Sequence, residues 1–242
     1  MPGYGYAVCW GVLTLLYAQS GLSLSAIWRE YRYIPREYEF YGGEHFWGYD
    51  EERGVLYRFR GPGEAETLWR GPIRVGKIGL SRANPDETLL FEEVERLYRR
   101  SARYRVYLFS QGQPAAIPGL YQEGEILPDG RVVLADSQNL YLWSRGHTAP
   151  EKLTSAGASI RAGTTDWLYE EEFGFTKAFS VSPSGTCVAY LTFDNGETPH
   201  WSLAYYEAGS VYPRQHTFPY PKVGQKKSPR GPSSSFPYRP HR

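Results

Sequence analysis

Residues 127–143 read LPDGRVVLADSQNLYLW. Pro128 presets its own φ, Asp129 can bond the backbone just ahead of it, and Gly130 accepts φ > 0, which together make a tight turn. Behind the turn comes Arg131-Val132-Val133-Leu134-Ala135, an apolar run too short for a helix and of strand composition. Asp136-Ser137-Gln138-Asn139 is a second turn signal, and Leu140-Tyr141-Leu142-Trp143 a second strand. The unit is turn, strand, turn, strand.

The unit recurs on both sides. Asn84-Pro85-Asp86-Glu87 precedes Thr88-Leu89-Leu90-Phe91, and Ser182-Pro183-Ser184-Gly185 precedes Thr186-Cys187-Val188-Ala189-Tyr190. The first copy is the poorest, because Glu87 stands where the others have glycine. Pro85, Pro128 and Pro183 are 43 and 55 residues apart. This is the period of a four-stranded propeller blade, with an insertion in the longer interval. The expected fold is therefore all-β, part of a β-propeller; a stacked β-sandwich is the alternative reading. Only Ser23–Tyr31 shows a helical apolar face, with Ser23 as its cap.

Composition agrees with a β domain. Of the 242 residues 41% are hydrophobic and 22% charged, and the 16% aromatics include 21 tyrosines, which suit half-buried sheet faces. Eighteen prolines and 26 glycines imply frequent turns. A net charge of +1 leaves no basic footprint for nucleic acid or a membrane surface. The N-terminal run AVCWGVLTLLYA, residues 7–18, is short for a membrane span and has the length of a signal-peptide core, with small residues before a cut after Ser20. Met1–Tyr6 carries no Lys or Arg, so a buried first strand is the competing reading. Cleavage would leave Cys187 as the single cysteine. From Gln225 the chain turns basic and rich in Pro and Ser, and is expected to be a disordered tail.

The chain offers little for bond-breaking chemistry. It has no Gly-x-Ser-x-Gly elbow, no metal-type spacing among its five histidines, and no phosphate-cradling glycine loop before a helix. No cofactor and no metal are expected. What stands out is Glu170-Glu171-Glu172, three like charges among aromatics in DWLYEEEFGFT, residues 166–176. On a strand neighbouring side chains face opposite ways and could not grip one small cation. In a turn or a single helical turn they diverge by about 100°, and two glutamate arms can converge on an ammonium, which has three donors and no acceptor. Repulsion between the carboxylates raises one pKa unless a cation, from a ligand or an arginine, lies near. A solvated turn is the plainer alternative.

These residues resemble those of the dipeptidyl peptidase IV-like serine peptidases. Asp166-Trp167-Leu168-Tyr169-Glu170-Glu171-Glu172 is similar to the family's Asp-Trp-Val-Tyr-Glu-Glu-Glu signature. Ala178–Gly185 resembles its apolar-Trp-Ser-Pro-Asn/Asp-Gly turn, with Val181 in place of the tryptophan. Ala189–Asp194, Tyr212-Pro213, Tyr220–Gly224 and Asn139-Leu140-Tyr141 resemble further family elements, and the likeness spans Leu22 to Gly224, weakest between Pro35 and Asn84.

The resemblance implies an eight-bladed propeller over an α/β-hydrolase domain and the release of dipeptides, preferably after Pro or Ala. It implies that Glu171 and Glu172 hold the α-ammonium of a peptide N-terminus and that Glu170 is a neighbour without a ligand role. Arg99, in Tyr98-Arg99-Arg100-Ser101, is the implied contact to the substrate carbonyl. Trp167 and Tyr169 are expected to pack and fix the loop.

The expected organisation is a signal peptide at 1–20, a lead-in at 21–50, about half of an eight-bladed ring at 51–224 and the tail at 225–242. The α/β-hydrolase domain is expected to be missing here and to act as partner in a full-length parent. The chain is thus expected to be secreted or periplasmic, without a membrane span after signal cleavage, to bind substrate and to be inactive alone. The alternative function is a non-catalytic protein-interaction propeller fragment.

Overall fold

A computed structural model describes residues 38–41, 45–61, 64–81, 83–206, 208–226, 230–231 and 235–237. The expected signal peptide and the helix expected over 23–31 lie outside the described residues. Among those described there is one helix, and the rest of the regular structure is antiparallel strand.

Three four-stranded meanders follow one another. The first runs β1 (Tyr38–Tyr41), β2 (His45–Asp50), β3 (Val55–Gly61) and β4 (Glu64–Arg70). The second runs β5 (Val75–Leu80), β6 (Thr88–Arg96), β7 (Ala102–Ser110) and β8 (Gln113–Tyr121), and the third β9 (Glu123–Ile126), β10 (Val132–Ala135), β11 (Leu140–Trp143) and β12 (Glu151–Lys152). Blade 1 thus draws its first two strands from the segment expected as a lead-in. A fourth blade is built differently. Between β13 (Ile160–Ala162) and β14 (Phe179–Val181) lies the helix α1 (Trp167–Phe173), which accounts for the longer repeat interval. β14 pairs with β15 (Cys187–Tyr190), whereas the next strand, β16 (Thr192–Asp194), pairs with β13. The family-like stretch Ala189–Asp194 is therefore split at Leu191 between two sheets. β17 (His200–Tyr205) and β18 (Arg214–Pro219) form a long hairpin, every β17 residue of which is exposed. Of the tail, Arg230–Gly231 (β19) pairs with β16 and Ser235–Pro237 (β20) with β15; its other residues from 227 onward lie outside the described residues.

The Asn84–Glu87 and Leu127–Gly130 turns join the first strand of a blade to the second, and the Ser182–Gly185 turn joins β14 to β15. Gly130 N–H donates to Leu127 O at 2.9 Å and Gly185 N–H to Ser182 O at 2.8 Å. Gly130 and Gly185 have φ of 82° and 68°, which only glycine adopts cheaply. Glu87 needs no left-handed backbone, since Gln111 is the non-glycine residue with positive φ among those described. Its carboxylate instead accepts from Ser110 Oγ and Arg145 Nη2, both at 3.0 Å. The turns also stack from blade to blade: a Cβ on Gly185 would lie 2.7 Å from Pro128 Cδ.

Burial separates a propeller from a sandwich. A sandwich strand turns one face to a shared core; here the start of β6 and all of β10 are buried on both faces. Leu89 and Phe91 enter the cluster between blades 2 and 3, while Leu90 enters the one between blades 1 and 2. Val132 and Leu134 face back to blade 2, and Val133 and Ala135 forward to Phe179, Val181 and Val188 of blade 4. The unbroken apolar run Val132–Ala135 is the sequence mark of this two-sided burial. Successive blades are also tied by polar contacts. Lys77 of β5 pairs with Glu123 of β9, Thr176 Oγ1 donates to Glu123 Oε1 at 2.5 Å, and Lys177 pairs with Glu125 at 2.6 Å.

Candidate functional site

α1 carries the three glutamates. Asp166 is its N-cap, extended at φ −86° and ψ 174°, and its carboxylate accepts from Tyr169 N–H at 3.1 Å. Gly174 ends it in the left-handed region at φ 70°, with its N–H donating to Glu170 O. Seven residues are too few for a helix to hold itself in water. Aromatic packing holds this one. The Trp167 ring lies 4.3 Å from that of Tyr220 and 5.8 Å from that of Phe218, and Tyr169 meets Phe193 edge to face at 4.8 Å.

The helical turn divides the triplet. Glu170 points inward, 1% exposed, and accepts the hydroxyl of buried Ser101 at 2.8 Å. Burial pushes its carboxyl up to about 7, against the pull of the Ser101 bond and of the Arg161 charge; Glu171 and Asp166 add to the rise. Glu171 sits at the rim, its side chain 18% exposed, with Arg99 Nη1 at 3.5 Å from Oε2. Glu172 is exposed. Both rim glutamates lie in the last turn, where the free carbonyls gather negative potential, and the helix has no base there. Acids in that place cost about 0.3–1 kcal/mol each unless a cation joins them. Arg99 supplies part of that charge from across the site. Its side chain is 77% exposed, so the pair contributes little stability by itself.

Arg99 belongs to the turn between β6 and β7. The N–H groups of Leu97 and Tyr98 both donate to Ser101 O, at 3.0 and 3.1 Å. Tyr98 packs edge to face on Phe218, which also touches Trp167, so the turn, α1 and the hairpin share one aromatic cluster. The structure thus brings Arg99 and Glu171 together and leaves Glu172 exposed next to them, with no ion pair among the described residues. Sequence reasoning missed Ser101, although it ends the Tyr98–Ser101 stretch, and missed the inward bond of Glu170. It also missed a cleft of about 290 Å³ beside Ser101, whose walls include Lys77, Arg96, Arg100, Gln122 and Glu123. Among the described residues no group of three or more His, Cys, Asp or Glu could hold a metal ion, and no helix is long and apolar enough to cross a membrane.

Residues 83–230 match the family described as the dipeptidyl peptidase IV (DPP IV) N-terminal region. Among curated proteins, the probable dipeptidyl peptidase 4 of Trichophyton verrucosum (strain HKI 0517) is 36% identical over 104 residues, which is 40% of this chain and 14% of that protein. The prolyl endopeptidase FAP of Bos taurus is 30% identical over 199 residues, covering 76% of this chain and 26% of that protein. Among solved structures, the dipeptidyl peptidase 4 of Porphyromonas gingivalis superposes with a TM-score of 0.70 at 26% identity, over 86% of this chain and 32% of that one. The chain therefore spans between 14% and 32% of the lengths of these relatives.

Proposed function

Because the chain belongs to the dipeptidyl peptidase IV N-terminal region family, we infer that it is the substrate-recognition portion of a secreted or periplasmic serine-type dipeptidyl peptidase. In this reading Glu171 and Glu172 receive the free α-ammonium of a peptide, Arg99 faces the carbonyl that follows, and a hydrolase domain of the full-length parent cleaves after the second residue. Acyl transfer to a serine and then to water is the parent's chemistry; the propeller's share is to measure two residues from the N-terminus.

The observation that carries this reading is the meeting, at 3.5 Å, of Arg99 and Glu171 from positions 72 residues apart, at the end of a helix with no base in its last turn. A peptide ammonium completes that charge arrangement, each charge-assisted bond contributing about 1.5–3 kcal/mol net. The apolar run at residues 7–18 supports export.

Calorimetric titration of the 242-residue chain with alanyl-proline amide tests the reading. Binding should be lost on N-acetylation of the ligand and in Glu171→Gln and Glu172→Gln. Equal binding of free and acetylated ligand would overturn it, as would turnover of a Gly-Pro chromogenic substrate that persists in Glu171→Ala and Glu172→Ala. A second reading, a protein-interaction module, draws on the exposed Trp201, Leu203, Tyr205, Tyr206, Val211 and Tyr212 of the hairpin and the stretch inside it. A defined protein partner whose affinity is unchanged by both glutamate substitutions would favour it.

A further inference from the structure

The Arg99–Glu171 contact is long and open to solvent, so it cannot by itself fix the distance between the two halves of the site. Beneath it lies a better connection. Ser101 closes the Arg99 turn through its backbone oxygen and, from the same residue, donates its hydroxyl to Glu170. Both side chains are buried. A hydrogen bond to a carboxylate sheltered from water is among the stronger ones a protein makes. We propose that Glu170 is a positioning residue that, through Ser101, holds the Arg99 turn against α1 and so sets the spacing between Arg99 and the Glu171–Glu172 pair. The proposal rests on the reading of that pair as an ammonium trap.

Charge state is part of the device. The charged groups acting on Glu170 are Arg161 from β13, Asp166 at the N-cap and Glu171 on its own helix, and Glu170 in turn acts on Tyr98 of the turn. Ionised, Glu170 makes a charge-assisted bond to Ser101 and adds negative potential beside Glu171. Protonated, it keeps a neutral bond about half as strong and adds none. Both changes weaken the hold on a cation, so the trap tightens as pH rises through about 7.

The test compares the intact chain with Glu170→Leu, Glu170→Gln and Ser101→Ala, using alanyl-proline amide as ligand and amide hydrogen exchange over Leu97–Ser101. Leucine fills the space without an acceptor; glutamine keeps an acceptor for Ser101 and cannot ionise. Near pH 7.5, Glu170→Leu and Ser101→Ala should each weaken binding about tenfold and lower protection of the turn, whereas Glu170→Gln should recover most of both. The parent chain should bind more tightly near pH 7.5 than near pH 5.5, and Glu170→Gln should flatten that rise. Unchanged affinity and protection in Glu170→Leu, or an undiminished rise in Glu170→Gln, would overturn the proposal. Absence of ligand binding in the parent chain would sink the ammonium-trap reading instead. Hydrogen exchange would still decide whether Glu170 holds the turn.

Discussion

The carboxyl of Glu170 should make the stability of this chain fall as pH rises through neutrality. Its folded value of about 7 lies above the ordinary 4.5, and burial is the main cause. Below the lower value the group is protonated whether the chain is folded or not, and pH has no effect through it. Between the two values the unfolded chain has released a proton that the folded chain still holds, so raising pH favours unfolding. Above about 7 both states are ionised and the full cost of the buried charge is in place. At about 1.36 kcal/mol per pH unit, the group takes away about 2–3 kcal/mol between pH 5 and pH 8. Glu170→Gln removes the titration but can add a constant offset, since it replaces a buried acceptor oxygen by an amide group that must donate. The readout is therefore the slope of the difference. Urea unfolding of both chains, followed by tryptophan fluorescence at intervals from about pH 5 to pH 8, should show the parent losing its advantage steadily. Two stability curves that stay parallel would refute the reasoning, and with it the view that Glu170 is shut away from water.

Other consequences follow from the packing. Phe91→Ala should cost about 3–5 kcal/mol, because the ring is fully buried between blades 2 and 3 and sits edge to face with Tyr104 at 5.6 Å; the urea midpoint should drop with no change in slope. Asp166→Ala should cost about 1–2 kcal/mol through loss of the cap, and exchange of the Tyr169 amide should quicken ahead of the core strands. Gly130→Ala and Gly185→Ala both impose left-handed strain of about 1–2 kcal/mol. The second should cost more, because its methyl would meet Pro128 at 2.7 Å while the first has Glu87 Oε2 no nearer than 3.8 Å. Equal losses would show that the turns of blades 3 and 4 do not press on each other.

Blades 2 to 4 were legible because their signals are local. Pro is followed by Asp or Ser at each turn, with Gly next in blades 3 and 4, and the apolar runs Leu89–Phe91 and Val132–Ala135 record burial on two faces. Blade 1 carries no such turn: β2 and β3 are joined through Asp50-Glu51-Glu52-Arg53-Gly54, and β4 reads EAETLWR, whose charges hide the strand. The end of Tyr190 and restart at Thr192 in another sheet also left no mark, since pairing choices depend on strands far away in sequence. In the site, strand geometry alone required a turn at Glu170–Glu172, and α1 is that turn. The role of Ser101 was illegible, because a serine next to two arginines says nothing of a partner 69 residues downstream.

That separation has its own consequence. Arg99 leaves the chain before blade 3 begins, and Glu171 follows after it ends. All of blade 3, from Glu123 to Lys152, is spanned between the two. The Ser101–Glu170 bond therefore closes a loop of chain that contains the whole of blade 3.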